Sequence, residues 1–219
     1  MRIQYETILP LYRLIWKHWR EKRFTRFSEL VAPARLGRLL DVGGNPSDWF
    51  GRSDVVEFVD SLNLNVTLIH HVPPGSPDIV SLAGDGKCLP FGDQSYELVY
   101  SNSVIEHVGD AEAREAFARE IRRVGRKIWV QTPAYGCPIE PHYLGLFVHW
   151  FPKSWQLPLI RWTSVIGLTG AAGEEGLIAI LESTELMKKK EFKALFPDCE
   201  IWVEKLLWVF PKSYVAYRR

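Results

Sequence analysis

The sequence predicts an α/β fold with a doubly wound, mostly parallel sheet, and three apolar segments carry this prediction. Residues 39–42 are apolar apart from Asp41 and are followed by two glycines, as expected for a buried parallel strand that ends in a turn. Residues 96–100 and 127–133 are two further strand-like segments, and the helical pattern of residues 110–124 lies between them. Strands that alternate with helices in this way are typical of parallel sheets with helices on both faces.

Length and charge limit the kinds of protein that the chain can be. A chain of 219 residues fits one such domain with additional segments and leaves little room for two. We therefore expect a single domain, with a helical segment over residues 1–36 and a substrate-side insertion over residues 134–183. A formal net charge of +1 gives no general attraction to nucleic acid or to an acidic partner, so we expect no nucleic-acid binding.

The three cysteines, Cys88, Cys137 and Cys199, are odd in number, widely spaced and without a Cys-x-x-Cys pair. This pattern argues against a disulfide framework and against a zinc site, and it suits a reducing, cytoplasmic location. The N-terminus lacks the apolar core of a secretory signal, and no stretch of about 18 apolar residues predicts a transmembrane helix.

Residues 7–30 form a basic amphipathic pattern that predicts one or two helices. Apolar residues recur at helical spacing at Ile8, Leu11, Tyr12, Ile15 and Trp19, with arginines and lysines around them. One interpretation is a lid or packing helix whose basic side chains form a solvated face. The other is a helix that contacts an anionic membrane surface or an acidic substrate.

The turn after the first strand is the first candidate binding site. Its candidate residues are Asp41, Gly43, Gly44 and Asn45. A glycine without a β-carbon lets a ligand lie against the backbone, and asparagine tolerates left-handed backbone angles. A dinucleotide would need a third glycine at the position of Asp48, where a carboxylate would repel its pyrophosphate. The turn therefore favours a ligand other than a dinucleotide.

Residues 84–107 bring two further strand ends to the same edge of the sheet. Asp85 and Gly86 follow the predicted third strand, Asn102 ends the fourth, and Glu106 and His107 come directly after it. Together with the glycine turn, over roughly residues 39–133, they resemble the class I S-adenosylmethionine-dependent methyltransferases of the methyltransferase type 11-like branch. The signature of that branch is Asp-x-Gly-x-Gly, then Asp-x-x-x-Leu-Pro-Phe-x-Asp-x-Ser-Phe-Asp, then Glu-His.

The resemblance implies a Rossmann-like sheet of seven mostly parallel strands that ends in an antiparallel hairpin. It implies transfer of a methyl group from S-adenosylmethionine to an oxygen or nitrogen of a small-molecule or lipid-linked acceptor. The expected donor-binding residues are Asp41, Gly43, Gly44, Asn45, His70, Asp85, Gly86 and Asn102. A non-catalytic module that binds the donor or a nucleotide is the alternative, because this chain departs from the family at the glycine turn and at His70.

The second strand has two candidates, residues 66–71 and residues 55–60. The family pattern favours the first, which ends near His70, whereas the second would place Asp60 at the usual position of a ribose-binding acid. If His70 takes that position, a neutral imidazole still offers one donor and one acceptor, but the contact is weaker than a charged one.

Three residues are the candidate catalytic groups. The resemblance places His107 near the transferred methyl, and a histidine with a solution pKa of about 6.5 accepts a proton near neutral pH. Glu140 and His142 lie in a proline-rich loop that follows the fifth strand and are a second acid/base candidate. The alternatives are a histidine that caps the next helix and a loop-bracing pair. Glu-x-His alone does not indicate a metal site, and we expect none.

The C-terminal half begins with an unusually aromatic block over residues 143–162, in which Pro152 and Pro158 are predicted to interrupt any long helix. The block is expected to cover the substrate, with core packing and weak peripheral membrane contact as alternatives. Residues 167–176 are predicted to be a mobile connection and residues 184–196 an amphipathic helix. Residues 200–208 and 213–217 then form the hairpin, which turns about Pro211.

Overall fold

The computed structural model describes residues 19–30, 37–50, 53–61, 65–70 and 80–219. Of the helix predicted over residues 7–30, residues 19–30 are helical and are called α1 here. The apolar positions Ile8, Leu11, Tyr12 and Ile15 lie outside the described residues. Among the described helices, none is long and apolar enough to cross a bilayer.

The described strands form one large sheet and one small ribbon. The sheet contains β1 (Arg38–Val42), β2 (Asn65–His70), β3 (Val80–Ala83), β4 (Tyr96–Asn102), β5 (Gly125–Pro133), β8 (Glu200–Leu206) and β9 (Phe210–Arg218), and the ribbon contains β6 (Ile139–Glu140) and β7 (Gly145–Leu146). The order in the seven-stranded sheet is β3-β2-β1-β4-β5-β9-β8. Strands β1 to β5 pair in parallel, and β9 is antiparallel to both β5 and β8. The predicted Rossmann-like fold with a C-terminal antiparallel hairpin is confirmed.

Helices pack on both faces of this sheet. With α1, they are α2 (Pro46–Phe50), α3 (Ser53–Ser61), α4 (Ala111–Val124) and α8 (Lys189–Leu195). The insertion contains α5 (Lys153–Thr163), α6 (Val165–Thr169) and α7 (Gly173–Ser183), and short 3-10 helices span Ile105–His107 and Val148–Trp150. Asp110 caps α4 by accepting a hydrogen bond from the Ala113 backbone N–H at 2.9 Å, a contact worth about 1 kcal/mol.

Two apolar cores result from the alternation of side chains along the central strands. Leu40 and Val99 face one core, which includes Phe117 and Ile121 of α4. Leu39, Leu98 and Trp129 face the other core, where they meet Phe27 of α1 and residues of α2 and α3. Since both faces are covered by helices, the strands read as continuous apolar runs in the sequence.

The second strand ends at His70, so the first of the two candidates is correct. Strand β2 pairs in parallel with β1 and with β3, where His70 lies opposite Ala83. The competing segment forms α3, because Val55 and Val59 are four residues apart and are buried together on one helical face. Asp60 consequently lies in a helix and not at a strand end.

The aromatic block was predicted incorrectly at Pro158, which lies inside α5. Gln156 and Ile160 are buried on one face of this helix, whereas Pro158 is exposed on the opposite face. The carbonyl that loses its donor belongs to Ser154, which is also exposed, so water can replace the missing hydrogen bond.

The predictions for residues 167–176 and 184–196 were also wrong in part. The glycines at 170 and 173 both have positive φ, of 68° and 65°, and they separate two short helices, α6 and α7, instead of forming a mobile connection. The next helix begins only at Lys189. Pro211 lies within β9, and the hairpin turn is formed by the exposed residues before it.

Candidate functional site

Three neighbouring cavities lie along the carboxyl edge of β1, β2 and β4. Cavity A, of about 270 Å³, is lined by Gly43, His70, Asp85, Gly86, Ser103 and His107 among others. Cavity B, of about 280 Å³, is lined by Arg20, Arg23, Asp41, Gly44, Asn45 and Asn102 among others. Cavity C, of about 260 Å³, is lined by Arg23, Asn102, Ser103, Gln131, His142 and Lys212 among others. Because shared residues border each pair, the three cavities form one branched crevice.

The glycine turn has a backbone that only glycine accommodates. Gly43 has a φ of +83°, and a β-carbon there would lie 2.6 Å from Val104. A β-carbon on Gly44 would lie 1.7 Å from the carboxylate of Asp41. The Gly43 backbone N–H donates to the carbonyl oxygen of Ile69 at 2.8 Å, which ties the turn to the end of β2.

Asp41 is a buried carboxyl group with only one of its oxygens satisfied. It is 1% exposed, and its Oδ2 accepts a hydrogen bond from the Trp49 indole N–H at 2.8 Å. Its Oδ1 is buried without a hydrogen-bond partner in the described residues. Burial raises the pKa of Asp41 to about 8, against the hydrogen bond from Trp49 and with a further increase from the charge of Asp48.

His70 and Asp85 stand on the outer side of cavity A. His70 is exposed at the end of β2, and its carbonyl oxygen accepts from the Gly84 backbone N–H at 3.0 Å. Asp85 accepts a hydrogen bond from the Lys87 backbone N–H at 2.9 Å, which forms an Asx turn. A β-carbon on Gly86 would lie 2.6 Å from Phe117, so this turn also depends on glycine.

Arg23 of α1 connects cavities B and C, and the sequence analysis did not single it out as a site residue. Its guanidinium donates to Asn102 Oδ1 at 2.8 Å and to Glu204 Oε2 at 2.8 and 3.2 Å. Lys212 lies 3.5 Å from the same carboxylate. Burial raises the pKa of Glu204, but Arg23 and Lys212 together outweigh it and lower the pKa. Burial, followed by the charge of Arg23, lowers the pKa of Lys212 to about 8.

The three candidate catalytic residues, Glu140, His142 and His107, are joined into a single chain of hydrogen bonds. Glu140 Oε1 lies 2.5 Å from His142 Nδ1, and Glu140 Oε2 accepts from the backbone N–H groups of His142 and Tyr143 at 2.8 and 3.1 Å. His142 Nε2 lies 3.0 Å from His107 Nε2, and His107 Nδ1 lies 3.0 Å from the carbonyl oxygen of Ser183. Burial lowers the pKa of His142, but the contact with Glu140 outweighs this and raises it.

Glu106 belongs to the same cluster, although the sequence analysis gave it no separate role. It is 1% exposed, its Oε2 accepts from the Thr132 hydroxyl at 2.9 Å, and its Oε1 is buried without a partner in the described residues. Burial raises its pKa to about 7. One oxygen of Glu106 and one nitrogen each of His107 and His142 lie within 4.8 Å of one another. This grouping was not anticipated when no metal site was expected.

The aromatic side chains of the insertion face away from the crevice. Phe147, Trp150, Phe151, Trp155 and Trp162 are between 41% and 74% exposed, and none of them lines cavities A to C. The insertion has its own small core, which includes Tyr143, Val148, Ile160 and Leu177. The part of it that reaches the crevice is the loop with Cys137, Pro141 and His142.

Comparison with known proteins agrees with this architecture. Residues 54–127 match the family described as a methyltransferase domain. The resemblance to S-adenosylmethionine-dependent methyltransferases that the sequence indicated is confirmed by this match. The cofactor that the resemblance implies is S-adenosylmethionine. No curated protein matches the sequence significantly.

The chain is similar to solved structures at low sequence identity. A SAM-dependent methyltransferase from Methanosarcina mazei is 17% identical over 84% of this chain and 92% of its own length, with a TM-score of 0.46. A protein from Pyrococcus horikoshii is 12% identical over 92% of this chain and 89% of its own length, with a TM-score of 0.51. The likeness to the Pyrococcus horikoshii protein concerns the fold alone.

Proposed function

We propose that this protein transfers a methyl group from S-adenosylmethionine to an oxygen or nitrogen of a small-molecule or lipid-linked acceptor. The observation that carries the proposal is the branched crevice, in which two cavities meet at the glycine turn and a third meets them beside two histidines. The two cavities at the turn suit the donor, and the third suits the acceptor.

The residues of cavities A and B fit the chemistry of the donor. In cavity A, the turn at Asp85 and Gly86 suits the adenine, and the imidazole of His70 suits a ribose hydroxyl. In cavity B, Asp41 presents a buried carboxyl oxygen without a partner in the described residues, which suits a positively charged part of the donor. The donor supplies a methyl group on a positively charged sulfur, which makes that methyl open to attack.

Cavity C has a positive character that favours an acceptor with an anionic group. Its described lining includes Arg20, Arg23 and Lys212, whereas Glu204 is the carboxylate that contacts Arg23 and Lys212. Three basic side chains against one acidic one leave an excess of positive charge. Because Arg23 and Lys212 are largely buried, their charges are weakly screened by solvent.

His107 and His142 lie on the boundary between the donor and acceptor cavities, and we assign them to the reacting atom of the acceptor. Glu140 is a positioning residue, because it fixes the ring of His142 and is itself buried. Orientation of two bound reactants supplies about 7 to 11 kcal/mol, more than the roughly 3 to 5 kcal/mol of acid–base assistance. The histidines are therefore expected to increase a rate that the crevice already promotes.

The test is mass spectrometry of cell extracts incubated with the protein and with isotopically labelled S-adenosylmethionine. We expect at least one compound to gain one labelled methyl group, and its structure identifies the acceptor. The matched control is Gly43→Val, whose side chain would collide with Val104 in the donor crevice. If the protein binds the donor but labels nothing in any extract, the non-catalytic binding module replaces the enzyme as the better account.

A second function, contact with a lipid surface, is favoured by the exposed aromatic residues of the insertion. Trp155 and Trp162 are 61% and 74% exposed, and they share α5 with the basic residues Lys153 and Arg161. Tryptophan beside lysine and arginine is typical of helices that lie at a membrane interface. Sedimentation with anionic vesicles at low and high salt tests this contact.

A lipid-binding helix predicts that Trp162→Ala weakens sedimentation with vesicles. The matched control is Trp208→Ala, which removes an 88% exposed tryptophan from the hairpin between β8 and β9. Equal sedimentation of both variants and the unmodified protein would argue against a role of α5 in lipid contact.

A further inference from the structure

The hydrogen bonds of the histidine pair leave two lone pairs directed at each other. His142 Nδ1 contacts the carboxylate of Glu140 and His107 Nδ1 contacts the carbonyl of Ser183, and both of these partners are acceptors. Each Nδ1 therefore carries a hydrogen, and each neutral ring has its lone pair on Nε2. The two Nε2 atoms are 3.0 Å apart, so the arrangement is repulsive unless a cation lies beside both.

We propose that His107, His142 and Glu106 form a binding site for a divalent first-row transition-metal ion. The surroundings of Glu106 favour a metal ion over a single proton shared by the two histidine rings. A proton between the two nitrogens would relieve their repulsion but would leave Glu106 Oε1 buried and without a partner in the described residues. A metal ion can take all three groups as ligands, and its charge compensates a carboxylate that is 1% exposed.

The distances and the surrounding contacts agree with ligation. Two imidazole nitrogens at about 2.1 Å from one ion are about 3.0 Å apart at a right angle and about 3.4 Å apart in a tetrahedral site. The two Nε2 atoms are 3.0 Å apart, close to both values, and the three candidate ligand atoms lie within 4.8 Å of one another. The Nδ1 contacts with Glu140 and with Ser183 are of the kind that orient metal-binding histidines.

The ligand set indicates which ions are expected. Two imidazole nitrogens and one carboxylate oxygen suit Zn²⁺, Fe²⁺, Co²⁺ or Mn²⁺, whereas Mg²⁺ and Ca²⁺ prefer sites made of oxygen. Three protein ligands leave at least one coordination position open, as in metal sites that act on a substrate.

The location of the site gives it a role in the proposed reaction. His107 lines cavity A and His142 lines cavity C, so the ion lies where the donor and acceptor cavities meet. An acceptor hydroxyl bound to the ion would ionise at a lower pH and release its proton to solvent, which makes it a better nucleophile. This role rests on the proposed methyl transfer, whereas the metal site itself does not.

The test uses the untagged full chain, freed of metal with a chelator and then titrated. Calorimetry with ZnCl₂ is expected to show about one equivalent bound with a dissociation constant in the micromolar range or below. CoCl₂ is expected to give visible absorption bands that report nitrogen and oxygen ligation. His107→Ala and Glu106→Gln are each expected to weaken binding at least about 10-fold.

The matched control is His149→Ala, which removes a histidine of the insertion that is not part of the cluster. It should retain the affinity for Zn²⁺. Because His107 is exposed, its variant is expected to fold even if Glu106→Gln does not, and circular dichroism checks both.

Two results would overturn the metal site: less than one tenth of an equivalent of Zn²⁺ bound at millimolar metal, or equal affinity in the His107, Glu106 and His149 variants. Calorimetry with S-adenosylhomocysteine on the same samples separates this failure from failure of the proposed function. A protein that binds this product and no metal contradicts only the metal site, and one that binds metal and no product contradicts only the donor assignment.

Discussion

Two buried carboxyl groups are in closely similar states: Asp41 lines cavity B, and Glu106 lies beside the two histidines that border cavities A and C. Asp41 is 1% exposed and accepts one hydrogen bond, from Trp49. Glu106 is also 1% exposed and accepts one side-chain hydrogen bond, from Thr132. Each has a second oxygen that is buried without a partner in the described residues, and burial raises the pKa of both, to about 8 and about 7.

The two groups differ in what surrounds the unsatisfied oxygen. Asp41 lies beneath a glycine turn that leaves space for a ligand, whereas Glu106 lies beside two imidazole rings. The comparison teaches that a buried carboxyl group with an unsatisfied oxygen can be compensated by positive charge from two different sources. In our proposals, the positive charge on the donor side comes with an organic ligand, and on the acceptor side it comes with a cation that three side chains would hold.

The largest expected effect is that of Gly44→Ala on the donor side. The new β-carbon would lie 1.7 Å from the carboxylate of Asp41, which is too buried to move away freely. We expect a loss of about 3 kcal/mol or more in the free energy of unfolding, measured by urea denaturation, together with loss of donor binding. Gly92→Ala is the control, because a β-carbon there meets nothing within 4 Å. Equal stability of the two variants would show that the turn is not tightly constrained.

On the acceptor side, we expect His107→Ala and His142→Ala each to lower turnover by about 10²-fold or more, while affinity for the donor changes little. The reason is that the two rings lie where cavity A meets cavity C, beside the expected reacting atom, while the other donor-lining residues of cavities A and B remain in place. Steady-state kinetics with the identified acceptor and calorimetry with S-adenosylhomocysteine measure the two quantities. His149→Ala is the control, and unchanged turnover in both variants would remove the pair from the mechanism.

A smaller effect is expected for Asp41→Asn in the ligand-free protein. Because the pKa of Asp41 is raised to about 8, the folded state binds more protons than the unfolded state between about pH 4 and pH 8, so stability falls as pH rises through this range. The variant lacks this contribution. We expect its stability relative to the unmodified protein to increase by roughly 2 kcal/mol between pH 6 and pH 8.

Urea denaturation at several pH values checks the behaviour of Asp41→Asn. Asp48, Tyr100 and Arg23 face the same cavity and are present in both proteins, so the difference between the two curves isolates Asp41. Parallel curves across this pH range would show that Asp41 is ionised throughout, and the likeness to Glu106 would then fail.

The smallest effect on stability is expected for Trp162→Ala, outside the crevice. Because this side chain is 74% exposed, its removal should change the free energy of unfolding by no more than about 0.5 kcal/mol. Thermal denaturation measures this. A larger loss would show that the aromatic face of α5 stabilises the insertion instead of being available to a lipid surface.

The sequence was sufficient for the sheet and for the glycine turn after β1. Strands β1, β4 and β5 are apolar on both faces, and the glycine turn has local chemistry that can be recognised without tertiary contacts. The sequence also correctly favoured residues 66–71 over residues 55–60 as the second strand. These features are determined by short stretches of sequence, so pattern and resemblance identify them.

The acceptor side required tertiary contacts. Glu106 and His107 lie in a 3-10 helix and His142 lies in a loop, 35 residues after His107, so that only tertiary structure brings the three together. Arg23 reaches Glu204 over 181 residues of chain. The helix through Pro158 was missed for a related reason, since buried partners on its other face stabilise it despite a local signal against it.

The central claim is that the crevice at Gly43 binds S-adenosylmethionine, and calorimetry with the stable product S-adenosylhomocysteine tests it most directly. The account predicts one binding site with a dissociation constant in the micromolar range for the unmodified protein, and no binding for Gly43→Val. An absence of heat with the unmodified, folded protein at millimolar ligand would contradict the claim.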